Sequence, residues 1–207
     1  LGEHYNEEQI RSDIEKFASK VSVENCGIDT IVDLLDDQKI ISVFSQGSES
    51  GRRALGNRSI LADPRSENMK DMINEKVKHR QWFRPFAPSI LAEETTNWFE
   101  KDVESPYMSF VVRFKEEVKE KVPAVVHFDG TARLQTVTRN NNEKYYDLLK
   151  AWYKKSGVPI LLNTSFNDRE PICETPEHAI DCFLRTNIDY LYFSDFEILL
   201  SKKNLGE

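Results

Sequence analysis

Four stretches of the chain gather residue types suited to holding phosphorylated compounds. The first runs Gly47-Ser48-Glu49-Ser50-Gly51-Arg52-Arg53-Ala54-Leu55-Gly56-Asn57-Arg58-Ser59, with three glycines inside ten residues. Glycine lets a backbone turn sharply and approach a ligand, while Arg53 and Arg58 bring permanent forked charge. The spacing is neither a Walker A loop nor a G-x-G-x-x-G fingerprint, so a phosphate cradle and a plain surface loop fit it equally. In the second stretch, Lys76, Lys78, His79, Arg80 and Arg84 fall within nine residues, interleaved with Trp82, Phe83 and Phe86. A solvated helix end can look like this, but Pro85 and Pro88 restrict the local backbone and suit Arg84 to holding an anion at a fixed place. The third is His127-Phe128-Asp129-Gly130-Thr131-Ala132-Arg133-Leu134-Gln135. Its Asp-Gly pair reads as a hairpin turn; Arg133, just past the turn, is the candidate anion ligand, and His127 reads as a core histidine. The fourth, Leu162-Asn163-Thr164-Ser165-Phe166-Asn167, is an apolar strand running into polar residues. Ligands in open α/β sheets gather at such strand ends. No G-x-S-x-G elbow is present, so these hydroxyls and amides suit donation to phosphate oxygens better than nucleophilic attack.

These stretches need a frame. Ile10, Ile14, Phe17 and Val21 at helical spacing predict a helix over 6–21, and Asp29 caps a second through Leu35. Ser66 as N-cap predicts a helix with Met69, Met72, Ile73 and Val77 on one face. A helix over 142–156 stops at Gly157, and Thr175-Pro176-Glu177 opens another with proline at its first position. Strands are expected over 40–44, 107–114, 124–128, 133–137, 158–162, 190–193 and 196–200. Helices alternate with strands, yet several strands follow one another directly, which predicts an α/β fold with a mixed sheet.

The 207 residues suffice for one domain plus an appendage. With 39% hydrophobic residues the chain is globular, and runs such as 158–162 are too short for a spanning helix, so no membrane association is expected. The polar start Leu1-Gly2-Glu3-His4 lacks the pattern of a signal peptide, and a first residue other than Met suggests a piece of something longer. Cys26, Cys173 and Cys182 form no C-x-x-C pair, which predicts a reducing, cytoplasmic setting. Cys173, His178 and Cys182 have some look of a metal set, but no metal is expected: free cysteine is usually a small core residue. Charge is uneven. The net is −7, yet residues 51–88 hold 9 basic against 4 acidic side chains, a basic island in an acidic protein. Such an island suits a pocket for a small polyanion more than a nucleic-acid surface.

Taken in order, G-S-E-S-G-R-R-A-L-G-N-R-S-I-L-A-D-P-R, N-E-K-V-K-H-R-Q-W-F-R-P-F-A-P-S, H-F-D-G-T-A-R-L-Q-T-V and L-L-N-T-S-F-N resemble the C-terminal domain of the nodulation- and tobramycin-type O-carbamoyltransferases, over about 40–200. The resemblance implies a YrdC-like open twisted mixed sheet flanked by helices over 39–207, with residues 1–38 as a helical linker or appendage following an absent Kae1-like domain of the same polypeptide. It implies ATP with Mg²⁺ and carbamoyl phosphate as co-substrate, joined as carbamoyl adenylate for transfer to an acceptor hydroxyl by the Kae1-like domain. Lys78, Arg80, Ser165 and Asn167 fill the group's K-x-R and S-x-N tetrad and stand as catalytic. Arg53, Arg84, Arg133, His79, Asn163 and Thr164 stand as substrate or nucleotide ligands. Two departures fall in the glycine loop, where the family usually has an aromatic residue at Ser50 and a proline at Arg52, so the pocket entrance is expected to differ. Two other readings stay open: a threonylcarbamoyl-adenylate-synthase-like enzyme using threonine and bicarbonate, and an RNA-binding YrdC-like module, against which the net charge of −7 argues.

Overall fold

The structure is a computed structural model describing residues 2–49, 51–81 and 83–203; Ser50 and Trp82, both singled out above, lie outside the described residues. Its elements in chain order are α1 (Glu7–Glu15), β1 (Val21–Asn25), α2 (Ile28–Asp36), β2 (Ile41–Phe44), β3 (Arg58–Ala62), α3 (Asn68–Lys76), β4 (Ala87–Leu91), the one-turn α4 (Thr95–Trp98), β5 (Phe110–Arg113), β6 (Thr131–Val137), α5 (Glu143–Ser156), β7 (Ile160–Ser165), α6 (Pro176–Arg185), β8 (Tyr190–Phe193) and β9 (Ile198–Lys202). The strands form one mixed sheet in the order β1-β9-β8-β2-β3-β7-β4-β6-β5. Among the described residues only β2–β8 and β4–β6 run parallel. No helix among the described residues is long and apolar enough to cross a membrane.

Strand alternation splits the core into two layers. Along β7, Ile160 and Leu162 face the layer that holds Ile10 and Ile14 of α1, Ile73 of α3 and Phe183 of α6. Leu161 faces the other, with Ile31 and Leu35 of α2 and Leu149 and Trp152 of α5. The segment 1–38, expected as an appendage, is woven into this body: β1 pairs with β9 at the sheet edge, and α1 and α2 cover opposite faces. Val21 opens a strand instead of closing the first helix, which ends at Glu15.

Other local expectations shift for identifiable reasons. Gly27, not Asp29, is the N-cap of α2, with no side-chain cap bond. Glu67 precedes α3, while Ser66 serves it only through its carbonyl, which accepts from the Met69 amide. The expected strand over 124–128 is a 3₁₀ turn opened by Pro123, whose ring fixes φ in the helical range and removes a ladder donor. The Asp-Gly turn still closes: the Gly130 amide donates to the His127 carbonyl at 2.9 Å, and β6 then pairs with β5. The helix over 142–156 forms as read, capped by the Asn142 side chain and ended by left-handed Gly157. Thr175 and Pro176 likewise open α6. The mixed α/β sheet stands.

Candidate functional site

The ends of β4, β6 and β7, the loop before β3 and the turn after α3 converge on one cavity of about 440 Å³. Among its described lining are Arg52, Arg53, Arg80, Arg84 and Arg133, together with Asn163, Thr164, Ser165 and His127, and no carboxylate. Phe86, Met108 and Val111 supply an apolar side. A second cavity of about 340 Å³ adjoins it; Arg52 and Ser165 line both, and Asn167, Glu49 and Glu174 line the second. Five like charges without a facing anion repel one another. Burial, then Arg133 and Arg52, lower the Arg53 pKa from its ordinary value. Burial, then Arg84, bring Arg80 down to about 10.

Each cation is placed by its own element. After α3 the chain unwinds: the Val77 and Lys78 amides both donate to the Ile73 carbonyl, and His79 takes a left-handed φ of 45°. Lys78 therefore turns inward and is 5% exposed. Its Nζ donates to the carbonyl oxygens of Ser165 and Asn167 and to Asn167 Oδ1, the last two at 2.7 Å. Ser165 Oγ donates to the same Oδ1 at 2.7 Å. Burial pulls the Lys78 amine down to about 7, with Arg80 adding to it. Lys78, Ser165 and Asn167 thus form one connected group behind the cavity wall, which Arg80 reaches through charge. Arg80 is aimed by the buried Asn74 of α3, whose Oδ1 accepts from Arg80 Nε at 2.7 Å and whose Nδ2 donates to the Arg84 carbonyl at 3.0 Å. Its guanidinium also lies over the Phe86 ring, 4.7 Å from the centroid.

Of the ligand set named from the sequence, Arg53, Arg84, Arg133, Thr164 and Asn163 line the arginine cavity. Asn163 already has partners of its own. It is 1% exposed, and its Nδ2 is spent on the Ala54 carbonyl, Ser89 Oγ and Gln135 Oε1 at 2.8–3.0 Å. It pins the arginine loop to the sheet, as does Gln135, whose Nε2 donates to the Leu55 carbonyl at 2.9 Å. His79 stands outside both cavities, with Nδ1 3.2 Å from Asp168 Oδ1.

Arg58, paired with Arg53 in the sequence reading, also points elsewhere. It is 1% exposed, stacks 3.5 Å over Phe44 and donates to the Ser45, Gly47, Asn57 and Glu174 carbonyls. It organises the loop from below, and burial lowers its pKa to about 10. His127, read as a core residue, is half-buried in the cavity wall, where burial lowers its pKa. Arg52, noted only as a departure from the family pattern, belongs to both cavities. Its one sequence signal was its place beside Arg53.

The cysteine set resolves differently. Glu170 joins Cys173 and Cys182, with ligand atoms within 4.8 Å of one another, while His178 presents its backbone carbonyl to Cys173 Sγ at 3.8 Å. Glu170 already pairs with Arg185. The hydrogen bond with Cys173, then burial, raises the Cys182 pKa, so the thiol stays protonated.

Residues 32–200 match the family described as Carbamoyltransferase C-terminus. The chain is 43% identical over 195 residues to the nodulation protein NolNO of Sinorhizobium fredii, a match taking in 91% of this chain and 29% of that protein. It spans about a third or less of the length of the curated relatives it matches. In fold it resembles full-length HypF in a phosphate- and nucleotide-bound form, with a TM-score of 0.54 and 16% identity over 88% of this chain and 22% of that one. It also resembles a P. abyssi Sua5, with a TM-score of 0.50 and 14% identity over 74% and 42%. These two likenesses concern the fold alone and agree with the YrdC-like architecture. The family match covers every strand that builds the arginine cavity: the chain belongs to the Carbamoyltransferase C-terminus family.

Proposed function

We propose that this domain binds ATP and carbamoyl phosphate together and makes carbamoyl adenylate. The observation that carries the reading is the cavity walled by five arginines with no carboxylate among its described lining, where the lining residue Ser165 accepts at its carbonyl from buried Lys78. Two phosphorylated substrates bring several negative charges into one space, and their repulsion must be offset before bond formation. Water first cleaves carbamoyl phosphate to carbamate and inorganic phosphate. A carbamate oxygen then attacks the α-phosphorus of ATP, the bond to the bridging oxygen breaks, and pyrophosphate leaves with the electron pair. Arg53, Arg84 and Arg133 hold carbamoyl-phosphate or pyrophosphate oxygens, Lys78 and Arg80 serve the carbamate and phosphate groups, and Ser165 and Asn167 serve the α-phosphate region. One hydrogen of the Asn167 NH₂ goes to the Glu170 carbonyl at 2.7 Å, which leaves the second for the α-phosphate region, while its Oδ1 orients Ser165 and Lys78. Preorganised charge is the main lever and positioning the second. The described lining of the arginine cavity offers no carboxylate, so Mg²⁺ would enter held by the ATP phosphates and water, adding its charge to that of the arginines. Transfer to an acceptor hydroxyl belongs to a Kae1-like domain of the longer polypeptide.

The test is pyrophosphate release from ATP, with carbamoyl phosphate in one arm and threonine plus bicarbonate in the other. Release in the first arm is expected, and Lys78→Ala and Ser165→Ala should each lower it by on the order of 10² to 10³. Unchanged release in both variants removes the site assignment. Release only with threonine and bicarbonate reassigns the substrate.

A further inference from the structure

The arginine loop is built around a single oxygen. Glu49 Oε1 accepts from the backbone amides of Leu55, Asn57 and Arg58 at 2.7, 2.8 and 3.0 Å. Converging amides of this kind form a nest for an anion, and here the chain fills the nest with its own carboxylate. The span so closed contains Arg52 and Arg53. Its far side is fastened to the sheet through the Ala54 and Leu55 carbonyls, held by Asn163 and Gln135. Glu49 itself lies outside the arginine cavity and lines the neighbouring one beside Arg52.

We propose that Glu49 is a positioning residue for polyanion binding: by gathering three amides on one carboxylate oxygen it fixes the loop that presents Arg52 and Arg53 to the cavity. This rests on the reading of that cavity as a phosphate site. The proposal makes an unusual sign prediction. Removing a negative charge near a cationic site should tighten anion binding by simple Coulomb attraction. If Glu49 works by holding the loop, removing it loosens binding instead. Glutamine separates the two effects, because its carbonyl oxygen can occupy the nest without the charge.

The experiment is calorimetric titration of inorganic pyrophosphate into the wild-type chain, Glu49→Ala, Glu49→Gln, Arg52→Ala/Arg53→Ala and the triple variant. Glu49→Ala is expected to weaken binding about 10-fold or more, the loss of one or two net hydrogen bonds' worth of ordering. Glu49→Gln should stay within about threefold of wild type or bind more tightly, since the acceptor is kept and a repelling charge is gone. In the background lacking both arginines, Glu49→Ala should change affinity by less than about twofold, because a residue acting through those arginines has nothing left to position. Equal or tighter binding by Glu49→Ala overturns the proposal. So does a glutamine variant as weak as alanine, or an undiminished loss in the background lacking Arg52 and Arg53, which would mark general damage to the fold. A wild-type chain that fails to bind pyrophosphate sinks the phosphate-site reading itself, whereas wild-type binding with an indifferent Glu49→Ala sinks the role of Glu49 alone.

Discussion

At Lys78 two physical effects oppose each other. Burial favours the neutral amine and brings its pKa from an ordinary 10.5 to about 7, while three oxygen acceptors around Nζ favour the ammonium. An anion in the adjoining cavity adds to the second effect and raises the pKa. Polyanion binding should therefore take up a proton above pH 7 and none well below it, where the free site is already charged. Affinity falls as pH rises through about 7, tending toward tenfold per pH unit at the limit for one coupled proton. Calorimetry in two buffers of different ionisation enthalpy at pH 5.5 and 8 measures the uptake, and Lys78→Met should abolish it; equal uptake at both pH values would contradict the coupling. The sign for stability follows from the same shift. Between about 7 and 10.5 the unfolded chain holds the extra proton, so this group's contribution improves as pH rises and its burden is greatest in acid. The tetrad pattern in the sequence pointed to Lys78 and Ser165, which the fold brings into contact. No pattern pointed to Glu49 or Asn74, because a residue that aims another side chain or a loop carries no spacing signature of its own.

Among the elements, the loop before β3 depends most on one conformation. Gly56 has φ of 115°, and a Cβ there would meet the ring of buried Tyr145 on α5 at 2.5 Å. Gly51 has φ of 142° but open space around it. Gly56→Ala combines strained backbone with overpacking and should cost roughly 2–5 kcal/mol, whereas Gly51→Ala carries only the strain, about 1–3 kcal/mol. Urea unfolding midpoints of the two variants check this; equal losses would mean that the contact with Tyr145 yields freely. The glycines were visible beforehand, but the strand they lead into was not. β3 begins at Arg58, and a charged residue at 1% exposure contradicts every composition rule for a central strand. It is tolerated because four backbone carbonyls and the Phe44 ring surround the guanidinium. β4 hid behind Pro88, which normally argues against a central strand. There the chain pairs only with β7, and the β6 ladder starts one residue later at Ser89. The helices were easier to read, since α5 and α6 carry both their apolar stripes and their caps in the sequence.

Across the whole molecule the charge is divided between an acidic exterior and a cationic cavity. The basic island at 51–88 supplies Arg52, Arg53, Arg80 and Arg84, and β6 brings Arg133 to join them from outside it. That convergence depends on β6 lying two strands from β7 across β4, a neighbourhood no local pattern specifies. Packing like charges together loads the free domain with repulsion that a polyanion relieves, so pyrophosphate should stabilise the fold as well as occupy it. At free ligand about 100 times Kd the linkage gives about 2.7 kcal/mol, a rise in Tm of roughly 5–10 °C for a chain of this size. Arg133→Ala should move the two measurements in opposite directions. Arg133 is the charge that presses most on Arg53 after burial, so its loss raises the Tm of the free domain while shrinking the rise that pyrophosphate produces. Scanning calorimetry with and without ligand measures both quantities. A variant whose free and bound domains fall together would show that Arg133 acts as a packing residue of β6 and not as part of a charge array waiting for its counter-ion.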